Sequence, residues 1–430
     1  MSKSCRVVII TAVVAGSSCT GDTALSRSPR SPQLFDSADV AWIRNFDPVW
    51  TAGTAWRVDT APLLRMGAAD GEEAYLFTDI RGAAHLSDGR IVVADGATFE
   101  LRAFSSGGAH VWTAGGKGNG PGEISWYPLH FRKLRGDTLQ IEDGLVRLRY
   151  DAEGRLVEHA RVDWGRAVRF GAYTRECFSV PTFVGELVLL AVRPCGWDMR
   201  ERIAQSHLRR SATRLDVLPW SLESADSVGT FLDQEWWVHS DGASQLVVWP
   251  PIPVGGRFAV ADAPPRMAYA TTERYRIFIY DLALGALIRV IERPEESSPV
   301  SADRIARATA EWESHLRLNP IFTGDPQRLN RVLAERDRIP TPDSIADLDD
   351  LVFDELGYLW VGHRLDSGAT TRAWAVFDTV GVFLGELPLP GAFNVQEIGR
   401  DYILGTVVDE YDVPYVLMLT LDRGSNSAGS

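Results

Sequence analysis

The sequence predicts an all-β protein, a six-bladed β-propeller, and two observations carry this prediction. One hairpin phrase recurs along the chain, and a second hairpin phrase precedes it. Two successive hairpins make a four-stranded antiparallel meander of about 40 residues, which is the size of one propeller blade. The composition agrees, because 45% apolar and 23% charged residues are typical of a soluble protein with a sizeable core.

The recurring phrase is an apolar run that ends in an aromatic residue, followed by a turn of Asp, Ser and Gly and a second apolar run. It occurs at 104–111, 150–157, 280–288 and 377–384. Asp or Ser can accept hydrogen bonds from the turn backbone, and Gly supplies the positive φ that a tight hairpin needs. The preceding phrase occurs at 86–93 and 353–361, with looser versions at 135–141 and 399–404.

These phrases divide the chain into six predicted blades, at 80–115, 126–163, 170–219, 253–292, 346–388 and 392–422. The last blade has only three clear strands. The segment from Ala55 to Leu64 is expected to supply the fourth strand and so remove an exposed sheet edge. Because the third blade is poorly punctuated, counts of five and seven stay open.

The β pattern is interrupted between blades 4 and 5, where the sequence predicts a two-helix insertion. Ser301 is expected to cap the first helix, whose apolar face contains Ile305, Ala308, Trp312 and Leu316. Asp325 and Pro326 are typical of the start of the second helix. Another long connection, at about 221–251, is predicted between blades 3 and 4 and contains Trp236, Trp237 and His239.

The N-terminus has the pattern of an export signal. Lys3 and Arg6 precede an apolar run at 7–16 and small residues at 17–19, which predicts a signal peptide over 1–19. The segment resembles a bacterial lipoprotein signal, in which Cys19 would become the lipidated first residue, although Gly16 departs from that pattern. We expect a flexible tether at 20–50, the propeller at 51–422 and a disordered tail at 423–430, with the protein in the periplasm or outer envelope.

Two cysteines remain in the predicted mature body. Cys177 and Cys195 flank a hairpin-shaped segment, and an oxidising compartment would favour a disulfide between them. Two buried free thiols are the alternative. Two cysteines without a clustered His do not predict a metal site.

The stretch from Asp88 to Ile124 resembles the repeats of NHL-type six-bladed propellers and related exported bacterial propellers. The resemblance rests on 88–95, 101–104 and the glycine-rich junction at 115–124. It implies the fold but no substrate. Lactonase-like relatives hold calcium with Glu, Asn and Asp, whereas this chain is poor in Asn. NHL-type lyases hold zinc with His from several blades, whereas the eight His here are scattered singly, with His85 and His130 near predicted inner strands.

Several function classes lack their signatures. A net charge of −13 without a basic run argues against nucleic acid as a partner. The glycine-rich stretch containing Lys117 fails the phosphate-loop pattern, because Gly follows the lysine. Neither Gly-x-Ser-x-Gly nor His-Glu-x-x-His occurs. The sequence predicts no catalytic residue and no cofactor.

The connections between successive blades cross one face of a propeller, and long loops on a rigid scaffold commonly carry function. We therefore expect a non-catalytic binding module for a carbohydrate, a peptide or another envelope protein, touching the membrane only through its lipid. The candidate ligand-binding residues are Trp236, Trp237, His239, His130, Asp350 and Lys117. One alternative is that the tryptophans pack beneath the helices. The other is a metal-dependent lyase or hydrolase with calcium or zinc in the central channel.

Overall fold

The structure is a computed structural model. It describes residues 29–124, 130–142, 146–161, 176–178, 182–184, 187–194, 205–219, 224–240, 245–365 and 368–424.

Six sheets of four or more strands follow one another along the described chain. The first contains β4–β7 (Ile80–His85, Ile91–Asp95, Glu100–Phe104, His110–Gly115). The second contains β8–β11 (His130–Lys133, Leu139–Glu142, Val146–Tyr150, Leu156–Arg161). The third contains β12–β17 (Glu176–Phe178, Thr182–Val184, Leu187–Pro194, His207–Pro219, Asp226–Ser240, Gln245–Val248).

The fourth sheet contains β18–β21 (Gly256–Asp262, Pro265–Thr271, Arg276–Asp281, Ala286–Glu292), to which β1 and β2 (Gln33–Ser37, Val40–Arg44) are added. A separate pair, β22 and β23 (Ser297–Pro299, Ser344–Ala346), follows it. The fifth sheet contains β24–β27 (Asp350–Phe353, Leu359–Gly362, Thr371–Phe377, Phe383–Pro390). The sixth contains β28–β30 (Asn394–Ile398, Tyr402–Val408, Pro414–Asp422) and β3 (Arg57–Met66).

The sheets pack around a common axis with their first strands innermost. β4 contacts β8, β18 contacts β24, and β28 contacts β4, so the sixth sheet lies against the first. The apolar core lies between neighbouring sheets: one cluster joins Leu101 to Leu148, and another joins Ile277 to Leu359. The fold is a β-propeller, as predicted. Because residues between the second and third sheets lie outside the described chain, the count of six blades stays a prediction.

The turns of the recurring phrase form as their residues require. The Asp151 side chain accepts hydrogen bonds from the backbone N–H groups of Glu153 and Arg155, at 3.1 and 2.9 Å. Asp378 does the same for the two equivalent donors of its own turn. Gly154 and Gly381 follow these aspartates with φ of 75° and 94°, values that favour glycine. The aspartate and the glycine therefore define each hairpin locally.

The two ends of the chain join in the sixth sheet. β3 pairs with β30 in an antiparallel register, with Val58 opposite Leu421 and Met66 opposite Val416. An N-terminal strand thus completes the sixth sheet, as predicted. Both ends of β3 lie two residues further along the chain than the predicted segment from Ala55 to Leu64. The pairing covers the outer edge of β30, which would otherwise expose unpaired backbone groups.

The structure differs from the predicted boundaries in three places. The predicted tether at 20–50 contains β1 and β2, and β2 pairs in parallel with β21. The third blade extends past 219, because β16 and β17 belong to its sheet and are not part of an inter-blade loop. The predicted tail at 423–430 begins with Arg423, which is 6% exposed and lies inside the fold. The first and third differences arise from contacts between segments distant in sequence, whereas β16 forms a hairpin with the neighbouring β15.

Replacing Arg423 with Met should cost about 3 kcal/mol in the free energy of unfolding at pH 7, because it leaves a buried carboxylate without its partner. Arg423 Nη2 lies 2.8 Å from Asp354 Oδ2, and the two side chains are 3% and 0% exposed. Burial raises the pKa of Asp354 even with this guanidinium present. In the variant that pKa rises further, so the variant should lose stability as the pH increases. Urea denaturation at several pH values measures both effects.

The matched control is Arg155→Met, which removes an ion pair with Asp151 from an arginine that is 73% exposed. This variant should lose less than about 1 kcal/mol and show no added pH dependence. Equal losses in the two variants would contradict a stabilising role for the buried pair.

Candidate functional site

One face of the propeller contains the connections from the outer strand of one blade to the inner strand of the next, and we call it the linker face. The long connection from β21 to β24 crosses this face and contains three helices: α1 (Ala302–Leu318), α2 (Pro320–Thr323) and α3 (Pro326–Leu333). The predicted caps are present. Ser301 Oγ accepts from Arg304 N at 3.2 Å, and Asp325 Oδ1 accepts from Arg328 N at 2.9 Å. The short α2 was not predicted.

The helices cover an apolar cluster at the edge of the third blade. Its buried members are Trp237, Val248, Trp312, Leu316, Phe322, Leu329, Val332 and Ile339. Trp237 is 3% exposed, so its ring packs beneath the helices. For Trp237 this is the alternative that the sequence left open. The side chain fixes the helices in place and offers no free surface to a ligand.

A buried carboxylate just after α3 joins the helices to the third blade. Glu335 Oε2 accepts from Trp237 Nε1 at 3.0 Å and lies 2.9 Å from His239 Nδ1. Glu335 Oε1 accepts from Ser206 Oγ at 2.8 Å. Burial by itself raises the pKa of Glu335, but the hydrogen bonds from His239, Ser206 and Trp237 outweigh it and lower the pKa. His239 is therefore part of the attachment of the insertion.

Two other tryptophans form an exposed aromatic platform beside the helices. Trp236 and Trp249 stack with ring centroids 5.6 Å apart and an interplanar angle of 27°. Trp249 is 56% exposed, and its backbone oxygen accepts from Trp312 Nε1 on α1 at 2.6 Å. The Trp249 ring is therefore exposed on a backbone that α1 holds in place. The Trp237 ring, by contrast, is buried.

A groove of about 530 Å³ begins at Pro251, two positions after Trp249, and neither tryptophan of the platform lines it. One wall is formed by α1, through Ile305 and Thr309, and the opposite side is formed by Pro251, Ile339 and Thr341. Arg336, which pairs with Glu313 at 2.8 Å, lies at its edge. The volume falls in the range of small-ligand sites, and five of the ten lining residues are polar or charged. The sequence did not reveal the groove, because its sides are distant in sequence.

The remaining predicted site residues lie elsewhere. Lys117 is exposed, with its Nζ 6.0 Å from the centroid of the Phe99 ring. His130 begins β8, and Asp350 begins β24, where it forms an ion pair with Arg372. No hydrogen bond or ion pair in the described part of the chain joins these three residues to the tryptophans. The six predicted ligand-binding residues therefore fall into three groups. Trp237 and His239 are buried under the helices, Trp236 belongs to the platform, and Lys117, His130 and Asp350 are scattered around the linker face.

The predicted cysteine sites stay predictions. Cys19 and Cys195 lie outside the described residues. The backbone of Cys177 lies in β12, opposite Arg193 of β14.

A polar cluster at the opposite end of the channel was also missed by the sequence. Lys133 Nζ donates to Glu397 Oε1 and to the His85 backbone oxygen, both at 2.6 Å, and Glu397 also pairs with the Tyr402 hydroxyl. Burial and the Glu397 charge raise the pKa of Tyr402. Because lysine, glutamate and tyrosine satisfy one another, the cluster ties the first, second and sixth sheets together.

Among the residues that the structure describes, no three His, Cys, Asp or Glu side chains converge as a metal-binding group. None of the helices in the described ranges has the length and apolar character to cross a bilayer.

Comparison with known proteins gives similar structures only. No protein-family model and no curated protein matches the chain. A member of the DUF4221 family from Bacteroides vulgatus is 9% identical, with a TM-score of 0.46 over 86% of this chain and 99% of that one. A protein assigned as exported from Bacteroides fragilis is 12% identical, with a TM-score of 0.41 over 88% and 99%. A gluconolactonase from Xanthomonas campestris is 13% identical, with a TM-score of 0.36 over 80% and 88%.

Replacing Glu335 with Gln should lower the free energy of unfolding by about 2 kcal/mol at pH 7, because charged hydrogen bonds to Ser206 and Trp237 are lost. The folded-state pKa of Glu335 lies below its ordinary value of 4.5. Its contribution is therefore present above pH 4.5 and is lost as the pH falls through the lowered value. The difference between wild type and variant should shrink in acid, as measured by denaturation together with proteolysis of the 301–340 segment.

Glu311→Gln is the control, since Glu311 is exposed on α1. It should leave both stability and protease resistance unchanged. If Glu335→Gln leaves the 301–340 segment as resistant as in the wild type, the attachment depends on packing alone.

Proposed function

We propose that this protein is an exported, non-catalytic binding module and that a carbohydrate occupies the groove beside Trp249. The observation that carries the proposal is the stacked pair of Trp236 and Trp249, from which the chain continues directly to Pro251 in the lining of a groove of about 530 Å³. The platform and the groove lie at the edge of the third blade, on a backbone held by Trp237 and Glu335.

The chemistry of the groove supports a carbohydrate. An exposed indole presents a rigid, flat apolar face with little conformational entropy to lose, which suits the apolar face of a sugar ring. The hydroxyls of Thr309 and Thr341 and the ion pair of Arg336 with Glu313 surround apolar walls. Hydroxyl and charged groups at the edge of such a site can exchange hydrogen bonds with sugar hydroxyls, which donate and accept in turn.

Location outside the cytoplasm is the second part of the proposal. It rests on the signal pattern over 1–19 and on Cys19 at the position of a lipidated residue. A structural neighbour assigned as exported agrees with this location. A protein held in the envelope meets the polysaccharides and glycans of that compartment, which is consistent with a carbohydrate ligand.

Trp249→Ala should weaken binding of an oligosaccharide at least tenfold, equivalent to about 1.4 kcal/mol, while leaving the fold intact because the ring is largely exposed. Calorimetric titration of the mature protein with chitohexaose, maltohexaose and xylohexaose measures the affinities. Phe35→Ala, which removes an exposed ring from β1, is the matched control and should bind as the wild type does. Unchanged affinity in Trp249→Ala, or binding of peptides but of none of the sugars, would overturn the proposal. Stoichiometric calcium or zinc in the purified protein would favour the enzymatic alternative.

Cys19→Ser should release the protein from the membrane fraction, because a serine cannot take a thioether-linked lipid. Labelled palmitate should be incorporated into the wild type and not into the variant, and cell fractionation should show the variant in the soluble envelope fraction. Cys177→Ser is the control and should keep both the label and the membrane association. If wild type and Cys19→Ser are distributed equally between the membrane and soluble fractions, Cys19 is not lipidated and the signal peptide is simply cleaved.

A further inference from the structure

Four arginines surround the mouth of the central channel on the linker face, where the fourth and fifth blades meet. Arg257 lies at the start of β18, Arg364 follows β25, Arg372 lies in β26 and Arg304 lies in α1. They stand out because the chain as a whole carries a net charge of −13. Three carboxylates, those of Asp347, Asp349 and Asp350, are the acidic groups around them.

Arg257 and Arg372 form ion pairs with the carboxylates of Asp349 and Asp350. Arg257 Nη2 lies 2.8 Å from Asp349 Oδ1, and Arg372 Nη2 lies 3.5 Å from the other oxygen of the same carboxylate. Arg372 Nη1 also pairs with Asp350. Asp347 Oδ1 accepts from the backbone N–H of Arg364, not from its guanidinium. These ion pairs therefore hold the side chains of Arg257 and Arg372 in place beside Arg364 and Arg304.

Arg364 and Arg304 form no ion pair with the carboxylates around them, although the charge of Asp349 attracts Arg364. Among the described residues, neither guanidinium forms an ion pair or a side-chain hydrogen bond. Arg364 Nε is buried and has no hydrogen-bond partner. Buried donors of this kind are rare in native proteins unless water or a ligand satisfies them. Burial lowers the pKa of Arg364, the charge of Asp349 opposes this, and the positive charges of Arg304 and Arg257 lower it as well. Both guanidinium groups are therefore close enough to Arg364 to repel it.

We propose that the channel mouth on the linker face is an anion-binding site, in which Arg364 and Arg304 bind a carboxylate or a phosphate of a small ligand. Guanidinium groups bind both anions through paired N–H donors. An anion here would satisfy the buried Nε of Arg364 and screen the repulsion between the arginines. Arg257 and Arg372 would add positive potential while Asp349 keeps them in position. This site does not include Trp249 or the groove, so it is independent of the proposed carbohydrate site.

The test is calorimetric titration of the mature protein with inorganic phosphate and, separately, with malonate, at constant ionic strength. We expect saturable binding of at least one probe, and the stronger probe identifies the anion class. Arg364→Gln and Arg304→Gln should each weaken that binding at least tenfold. Arg307→Gln, on the exposed side of the same helix, should not change it. Trp249→Ala should also leave it unchanged, which separates this site from the groove.

Thermal unfolding provides a second readout that does not depend on detecting a weak ligand. Without added anion, Arg364→Gln should unfold at the same temperature as the wild type or higher, because the substitution removes a partly buried charge that has an unsatisfied donor. Phosphate or malonate should raise the unfolding temperature of the wild type and of Arg307→Gln but not that of Arg364→Gln. Absence of saturable binding for both probes, or an equal response in Arg364→Gln, would overturn the proposal.

Discussion

The ring of sheets depends on the pairing of β3 with β30. Without it, β30 would present an open edge, and the apolar residues between the fifth, sixth and first sheets would lose one wall. The buried pair of Arg423 and Asp354 lies just beyond this strand and ties the C-terminal segment to a turn of the fifth blade. Every inner strand keeps its place around the axis because the ring is closed. The channel mouth, where side chains from separate blades meet, exists only under that constraint.

Features determined by neighbouring residues could be predicted from the sequence. The hairpins at Asp151 and Asp378 satisfy their own backbone groups, and Ser301 and Asp325 cap their helices in the same local manner. Features determined by pairing at long range could not. Nothing in the sequence near Glu335 indicates that its partners are Ser206 and Trp237, because the contact spans 129 and 98 positions. The same limit hid the groove, the addition of β1 and β2, and the unpaired Arg364.

The two consecutive tryptophans, which the sequence analysis placed in one candidate site, have different structural roles. Trp236 and Trp237 are consecutive in β16, and consecutive side chains of a strand point to opposite sides. One ring is therefore buried under the helices, and the other joins Trp249 at the surface. The sequence selected this segment as a candidate site, whereas only the strand geometry separates the buried support from the candidate contact surface.

If the protein is exported and lipidated as proposed, the ion pairs of Arg30 determine how it is oriented at the membrane. Arg30 bonds to Asp47 and Glu295, and Glu295 lies where the chain leaves β21 toward the linker face. Cys19 precedes Arg30 by 11 positions (30 − 19), a stretch that can extend over at most about 40 Å. With a lipid on Cys19, the rim of the linker face would be held within that distance of the bilayer. Ligands would then be captured in the thin layer directly above the membrane surface, and molecules tethered to the same bilayer would reach the groove at high effective concentration.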